Sequence, residues 1–287
     1  MKNLLLLFAV FIIGKTNAQN KVQASEIINK INAGTSVSLQ NTTITGVVDL
    51  TRLANMKVIH IYFPGKEHLS VVNCELSFVN CTFEDDFLAH DWVKATNSSY
   101  RADFTEKVTF INCTFKGQSS FKHSAFKKGA SFEGTHFSQE ANFKHASFST
   151  GTPFSNCIFD GSADFKHTSF GGNEDFSKAR FNQSADFKHA SFSGLAQFQE
   201  ASFIQGADFK HTSFSGFAQF QEAVFNRGAD YKHTDFSNGV SFVKTQFKGG
   251  ADFKHTGYSG KVQLDGVAFE RGLDDKHSDI MKSLKNK

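Results

Sequence analysis

The chain has 287 residues, with 31 Lys and Arg against 28 Asp and Glu, so its formal net charge is only +3. This balance argues against a strongly basic nucleic-acid binder and against an acidic mimic of nucleic acid, since each needs a large excess of one sign. The composition is unusual in its 35 Phe, which accompany one Trp, four Tyr and two Pro. A bias of this size indicates an internal repeat.

Residues 1–18 have the pattern of a secretory signal peptide. Lys2 gives a basic start, Leu4 to Ile13 form an apolar segment too short to cross a bilayer, and Ala18 supplies a cleavage site. No later segment is apolar enough to cross a membrane. We therefore expect an exported protein, in the periplasm or outside the cell, without an integral membrane segment.

Residues 19–36 are predicted to form a short N-terminal capping helix. Ser25 is a candidate N-cap, and Ile27, Ile28 and Ile31 fall on one helical face. An amphipathic helix in front of a repeat suits a cap, because the first repeat unit otherwise exposes unpaired strand edges.

Residues 37–83 follow a loose rhythm of apolar residues, which starts at Leu39 and Ile44, and we predict irregular first coils there. The rhythm fails in residues 84–103, which contain the only Trp of the chain, Trp92. We predict an inserted loop or short helix that projects from the coils. Trp92 is a candidate contact residue, since function on a regular scaffold often lies on such excursions. The alternative is a packed insertion with Trp92 as its anchor.

Residues 104–280 carry a regular repeat, and residues 281–287 form a short C-terminal tail. Large apolar residues recur at alternating steps of six and five, as in Phe165, Phe170, Phe176 and Phe181. Small residues stand two places before most of them, and the whole pattern repeats every 22 residues. Neither a helix nor a long strand has this spacing, which predicts very short strands joined by tight corners.

The repeat resembles the pentapeptide-repeat family, whose unit is Ala-Asp/Asn-Leu/Phe-x-x. Residues 163–167 and 207–211, both Ala-Asp-Phe-Lys-His, match that unit at every place. The resemblance implies an all-β fold, a right-handed quadrilateral β-helix in which the large residue and the small residue two places before it point inward. One extra residue follows every second pentapeptide, so we expect 22 residues per coil and one widened corner in two.

Coils that stack in register turn each outward position into a column. The most regular columns hold Lys and His, and we name the following candidate residues the Lys–His ladder: Lys166, His167, Lys188, His189, Lys210, His211, Lys232, His233, Lys254 and His255. A column of Asp, from Asp164 to Asp252, runs beside it, and the first interpretation is a surface ion-pair lattice. The functional hypothesis is that the ladder binds an unknown protein or an anionic glycan.

Stacked imidazoles also support an alternative, a metal-binding His column for Zn²⁺ or Cu²⁺. A straight column diverges, whereas a closed metal site needs convergent ligands, so we assign no metal ligand and no cofactor. A third and less favoured alternative is the gyrase-binding, DNA-mimicking branch of the family. Both the signal peptide and the near-neutral charge argue against it.

The cysteines are predicted to be small buried side chains, because Cys81, Cys113 and Cys157 each stand two residues before a Phe. In an oxidising compartment Cys81 could pair with Cys113 or with Cys74, and we expect one bridge or none.

Enzyme signatures are missing from the sequence, which has no phosphate loop, dinucleotide fingerprint, nucleophile elbow or zinc-protease helix. We therefore expect no enzyme. The sequence favours an exported structural scaffold or a protein- or glycan-binding surface, with no nucleic-acid partner. The family resemblance also implies a homodimer through a solenoid end.

Overall fold

A computed structural model describes residues 20–278, so the predicted signal peptide and C-terminal tail lie outside the described residues. The chain forms a parallel β-solenoid of about 12 turns with one short helix near its N-terminus. Each regular coil pairs with the residues 22 positions further on, as in Ala163 with Ala185 and Asp164 with Asp186. The predicted all-β solenoid and its 22-residue coil are confirmed.

The strands form four faces, numbered in the order in which the chain visits them. Face 1 consists of Val37–Gln40, Leu76–Val79, Val108–Ile111, Ala130–Ser131, Glu174–Asp175, Ala196–Gln197, Ala218–Gln219, Val240–Ser241 and Val262–Gln263. Face 2 consists of Asn20–Gln23, Thr42–Thr45, Thr82–Phe83, Thr114–Phe115, His136–Phe137, Ile158–Phe159, Arg180–Phe181, Ser202–Phe203, Val224–Phe225, Gln246–Phe247 and Ala268–Phe269.

Faces 3 and 4 complete the coil. Face 3 consists of Val48–Asp49, Phe87–Leu88, Ser119–Ser120, Ala141–Asn142, Ala163–Asp164, Ala185–Asp186, Ala207–Asp208, Ala229–Asp230, Ala251–Asp252 and Leu273–Asp274. Face 4 consists of Lys57–Tyr62, Gly65–Val72, Ser98–Phe104, Ala125–Phe126, Ser147–Phe148, Ser169–Phe170, Ser191–Phe192, Ser213–Phe214, Asp235–Phe236 and Gly257–Tyr258, with His90–Val93 paired to Ser98–Phe104.

The core of the solenoid is made of aromatic columns, one behind each face. Phe187 on face 3 stacks between Phe165 and Phe209, with ring centroids 4.9 Å apart and interplanar angles of 3° on both sides. Neighbouring columns meet edge to face, as in Phe176 and Phe187 at 5.4 Å and 90°. Each buried Phe contributes roughly 1.5–3 kcal/mol, so the columns dominate the stability of the rod.

The corners alternate between two kinds, which explains the alternating steps of six and five. After faces 1 and 3 the chain makes a tight β-turn, closed by N–H donation from Ala179 to the Phe176 carbonyl and from Thr168 to the Phe165 carbonyl, both at 3.1 Å. The third residue of each turn has a left-handed backbone, with φ of 57° at His167. The extra residue lies at the other two corners, after faces 2 and 4.

Face 1 is divided into a four-stranded and a five-stranded sheet at Pro153. Proline has no N–H to donate to the ladder. Pro153 keeps only an isolated bridge to Asp175, while its carbonyl still accepts the N–H of Phe132 at 2.8 Å. The solenoid therefore continues past the break, but the hydrogen-bond ladder of face 1 lacks the bond that an N–H at position 153 would donate.

The N-terminal cap is a strand, Asn20–Gln23, followed by the helix Ala24–Asn32. Ile27 and Ile31 are buried, as predicted. The prediction of Ser25 as the N-cap is wrong: Gln23 holds that position, and its N–H bonds to the carboxylate of Glu26 at 3.3 Å. The strand pairs with Thr42–Thr45 and leads directly into the helix. The helix therefore starts at Ala24, two residues before the start that Ser25 as N-cap would give.

The prediction of an inserted loop at residues 84–103 is wrong. Phe87–Leu88 is a strand of face 3 in register with Ser119–Ser120, so Phe87 takes the small-residue position and Ala89 the large one, and both are fully buried. Val72 pairs with Phe104, 32 residues further on, so this coil holds ten residues more than a regular coil of 22. The rest of the segment is an antiparallel hairpin, His90–Val93 with Ser98–Phe104.

This hairpin belongs to a four-stranded sheet that we call the fin. Its strands lie in the order Lys57–Tyr62, Gly65–Val72, Ser98–Phe104 and His90–Val93. The two central strands have eight and seven residues, whereas the strands of the regular coils have two. The extra residues carry the sheet on the order of 17 Å along the strand direction past the ordinary strands of face 4.

Tyr231 provides a test of the aromatic columns. It takes a Phe position between Phe209 at 4.9 Å and Phe253 at 4.7 Å, is fully buried, and its hydroxyl has no hydrogen-bond partner among the described residues. We expect Tyr231→Phe to raise the free energy of unfolding by about 1 kcal/mol, because an unpaired buried hydroxyl is lost. Denaturant unfolding measures this change.

The matched control is Phe209→Tyr, which places a hydroxyl in the same column one coil earlier and should lower stability. A Tyr231→Phe variant less stable than the wild type would contradict the packing of the column.

Candidate functional site

The Lys–His ladder lies at the corner between face 3 and face 4. Its imidazoles belong to a longer stack in which neighbouring ring centroids are 4.7–4.9 Å apart and, up to His255, within 4° of parallel. The stack comprises His123, His145, His167, His189, His211, His233, His255 and His277. The structure thus brings together every His that the sequence nominated and adds one coil at the C-terminal end and two at the N-terminal end.

The backbone fixes the spacing of the stack. Every His of the stack has a left-handed backbone, and the N–H of each one from His123 to His255 donates to the Lys carbonyl of the following coil, as from His167 to Lys188 at 3.0 Å. His is one of the few residues besides Gly that enter this region with some frequency. The side chains therefore point out of the rod, exposed, at the interval that the strands impose.

The Asp column on face 3 is tied to the Lys column in two ways. One carboxylate oxygen accepts the backbone N–H of the Lys two residues on, as from Lys166 to Asp164 at 2.9 Å. The other oxygen forms an ion pair with the Nζ of a Lys one coil earlier, as in Lys166 with Asp186 at 2.9 Å and Lys254 with Asp274 at 3.1 Å. The predicted ion-pair lattice is confirmed at these coils.

The environment of the stack disfavours protonation of its rings. Burial, followed by neighbouring imidazoles and Lys side chains, lowers the pKa of His145 and His211. The same causes lower the pKa of His123 to about 4. The charged form of these three imidazoles is therefore disfavoured at neutral pH.

The stack reaches the fin through His90, which the sequence did not single out. Its ring lies 5.5 Å from that of His123, tilted by 39°. Burial and the neighbouring Lys122 lower the pKa of His90 to about 4. No 22-residue step leads to His90, so only the hairpin geometry could reveal it.

Trp92, the nominated contact residue, lies on the outer strand of the fin and is 52 % exposed. Its strand pairs with Ser98–Phe104, and Trp92 faces Ser99 in the register. It is therefore neither a loop residue nor a buried anchor, and it belongs to the fin rather than to the coils that carry Lys166 to His255.

The ladder offers no convergent metal site. The nitrogen lone pairs of an imidazole lie in the plane of its ring, and the planes of neighbouring rings are parallel and separated, as in His167 and His189 at 4.7 Å and 3°, so these lone pairs do not converge on a common centre. Within residues 20–278, no three His, Cys, Asp or Glu side chains come together in a way that would hold a metal ion. The geometry therefore gives the metal-binding alternative no ligand set.

The four cysteines, Cys74, Cys81, Cys113 and Cys157, are buried as free thiols. The prediction of Cys81, Cys113 and Cys157 as small inward residues is confirmed, and neither of the two bridges left open in the sequence is formed. Cys113 and Cys157 direct their Sγ atoms at the carbonyls of Phe78 and Phe132, at 3.4 and 2.9 Å.

A shallow groove of about 590 Å³ runs beside the Asp column near the C-terminal end. Its floor includes Ala229 and Ala251, and its wall includes Asp230, Asp252 and Asp274. Arg271 also lines it, so the groove presents carboxylates together with one guanidinium.

Glu174 is a buried carboxyl that sequence reasoning missed. It takes the small inward position of face 1, in register with Ala196, and is fully buried. Its oxygens accept the N–H groups of Thr152 at 2.7 Å and Gly172 at 3.2 Å, next to the break at Pro153. Burial raises its pKa to about 7 against the lowering effect of these two donors. The sequence signal for this buried carboxyl was a Glu at the position where a neighbouring coil has Ala196.

No helix within residues 20–278 is long and apolar enough to cross a membrane.

Among family models, the one described as pentapeptide repeats (9 copies) matches the chain at residues 100–147, 143–191, 165–213, 187–234 and 209–257. These segments overlap and together span residues 100–257, more than half of the 287 residues. No curated protein and no solved structure matches the chain.

Glu174 predicts a specific pH dependence. A carboxyl whose folded pKa of about 7 lies above its ordinary value of 4.5 stabilises the fold at low pH, and this contribution is lost as the pH rises through about 7. Relative to Glu174→Ala, the wild type should lose on the order of 3 kcal/mol of unfolding free energy between about pH 4 and about pH 8. Denaturant unfolding at a series of pH values measures the difference.

Glu174→Gln serves as the control, because it keeps the shape without a titrating group and should show no such slope relative to Glu174→Ala. A difference between wild type and Glu174→Ala that stays constant with pH would refute the assignment.

Proposed function

Since the chain belongs to the pentapeptide-repeat family, whose repeats build a uniform rod, we propose that it is an exported, non-enzymatic scaffold that binds an anionic polymer, in the first place a glycan, along the Lys–His ladder. The observation that carries this proposal is a difference between two corners of the same repeat. Both corners make the same β-turn with a left-handed third residue, but they differ in how uniform that residue is.

At the corner after face 3 the left-handed residue is His in eight successive coils. At the corner after face 1 the same position holds different residues from coil to coil, namely Asn156, Lys178, Glu200, Glu222 and Lys244. The turn itself therefore accepts Asn, Lys and Glu. Tandem duplication copies both corners together, so duplication alone would leave them equally uniform. A function of the His corner explains why only that corner is uniform.

The shape of the ladder suits a linear polymer. Seven intervals of about 4.8 Å give a straight, exposed stripe on the order of 34 Å long. A convex rod offers few enclosed pockets for a small molecule. A polymer that contacts many coils at once gains affinity from repeated weak contacts.

The charges of the ladder indicate weak contacts at each coil. The Asp column already compensates part of the Lys charge, through pairs such as Lys166 with Asp186. Exposed charges of this kind contribute little individually and are screened by salt. A bound polyanion would also favour protonation of the imidazoles, so binding should strengthen as the pH falls below about 6.

Export is supported by the basic, apolar and small-residue pattern of residues 1–18. The non-enzymatic role is supported by the repetition of the outward residues, which singles out no candidate catalytic group. No observation favours the metal-binding alternative over the glycan, since the parallel rings do not converge.

The test of this function is calorimetric titration of the protein with alginate, a linear polyuronate. We expect saturable binding that weakens with salt and strengthens as the pH falls below about 6. The variant with His167, His189, His211 and His233 changed to Asn keeps residues that accept the left-handed turn. It should lose most of the gain in affinity at the lower pH, on the order of tenfold.

The matched control changes the opposite corner, with Lys178, Glu200, Glu222 and Lys244 replaced by Asn. It alters as many residues at the same kind of turn, with no change in net charge, and should bind like the wild type. Equal losses in both variants, or no binding by the wild type at either pH, would refute the ladder as a polyanion site.

A further inference from the structure

The fin carries an exposed apolar tip that the proposed ladder function does not use. Phe63, in the turn between the first two strands, is fully exposed, and Ile61 beside it is 72 % exposed. Val58 and Ile59 on the same strand are also exposed. Large apolar side chains grouped on a projecting surface mark an interaction site.

The charges around this tip have one sign. Residues 53–66 and 92–100 contain Lys57, Lys66 and Lys94 and no Asp or Glu. All three Lys are exposed, and none makes an ion pair with another residue of the described chain 20–278.

The acidic residues of the fin are all held by arginines. Arg101 binds Glu67 at 2.9 Å and also pairs with Asp103, while Arg52 binds Asp91 at 2.6 Å. Arg52 also pairs with Asp49, so two arginines share four carboxylates, and none of these carboxylates pairs with Lys57, Lys66 or Lys94.

The fin is held firmly enough to present its tip. The ring of Tyr100 stacks on His68 at 4.2 Å and 7°, and the guanidinium of Arg52 covers the Tyr100 ring at 4.4 Å. The turn at Phe63 meets the turn of the second hairpin, because Gly65 lies directly against the carbonyl of Asn97. Both hairpin ends therefore form one tip.

We propose that the fin tip docks on the surface of an anionic lipid bilayer. Phe63 and Ile61 enter the interface, where an apolar face sinks on the order of 5–10 Å into the headgroup and acyl boundary. Lys57, Lys66 and Lys94 lie at the headgroups, where each Lys attracts anionic lipid. Trp92 lies two residues before the tip turn, on the order of 7 Å away. When the tip is inserted, this distance places its indole ring in the interfacial region, where Trp is enriched in membrane proteins.

A bilayer fits these observations better than a protein strand does. A partner strand would add to the outer edge of Lys57–Tyr62, but that strand has a register shift between Val58 and His60. Such a bulge interrupts the flat hydrogen-bonding edge that strand addition requires. The most exposed residue, Phe63, is at a convex tip, where it can enter a fluid interface without a preformed pocket.

Trp92 makes the test specific, because it is the only Trp of the chain. The protein without the predicted signal peptide, residues 19–287, is titrated with vesicles of phosphatidylcholine alone and of phosphatidylcholine with phosphatidylglycerol, and Trp emission and vesicle co-sedimentation are recorded. We expect the emission to move to shorter wavelength on the phosphatidylglycerol vesicles only, with a midpoint that rises with salt.

Phe63→Ser should weaken this partition by roughly tenfold or more. Lys57→Ser, Lys66→Ser and Lys94→Ser should each weaken it by about fivefold. The matched controls lie in the middle and at the far end of the rod: Ile158→Ser removes a 38 % exposed apolar residue, and Lys248→Ser removes a positive charge. Neither control should change the midpoint. Phe63 is fully exposed, so its variant should unfold at the same temperature as the wild type.

Several results would overturn the proposal: an unchanged Trp92 emission on both kinds of vesicle, equal shifts on both, or an unchanged midpoint for Phe63→Ser. Sedimentation velocity without lipid supplies a further test. A wild-type dimer that Phe63→Ser converts to a monomer would make the tip a self-association surface instead. The His-to-Asn variant of the Lys–His ladder leaves the fin unchanged and should bind vesicles like the wild type. Vesicle binding and polyanion binding can therefore fail independently of each other.

Discussion

The whole structure depends on the in-register stacking of identical 22-residue coils. Most backbone N–H groups of the short strands and tight corners donate to a carbonyl one coil away, as from Phe165 to Asp186 at 2.7 Å and from His167 to Lys188 at 3.0 Å. The same register places Phe on Phe in the core at about 5 Å, as Phe165 lies on Phe187. A two-residue strand is far too short to be stable alone, so the hydrogen bonds and the aromatic stacks are formed together or not at all.

The register also determines what the outside of the rod can be. A side chain that points outward is repeated at the strand spacing, so a favourable neighbour in one coil becomes a column and a like charge becomes a column of repulsion. In this solenoid a column of Asp compensates the repulsion within the column of Lys, as in the ion pair of Lys232 with Asp252 at 3.4 Å. The His column needs no such compensation while its rings are neutral. The fin lies where the repeat has not yet become regular, and its surface therefore follows no column.

The regular part of the fold could be predicted from the sequence because one residue type, Phe, marks the inward position in nearly every coil. The first coils could not, since Phe87 takes the small-residue position and Ala89 the large one, and a hairpin adds ten residues to the coil between Val72 and Phe104. The columns of the ladder were predictable by counting. The left-handed turn that holds His167, the approach of His90 and the burial of Glu174 were not, because each depends on backbone geometry or on a distant break such as Pro153.

Hydrogen exchange of the wild type and of Phe187→Ala tests the central claim, that stacked coils stabilise one another through their aromatic columns. Nearest-neighbour coupling predicts that amide protection falls in the coil of Phe187 and in the adjoining coils of Phe165 and Phe209. Protection around Phe121 and Phe253 should stay at the wild-type level. A loss spread evenly over all coils, or no loss near Phe187, would contradict the account.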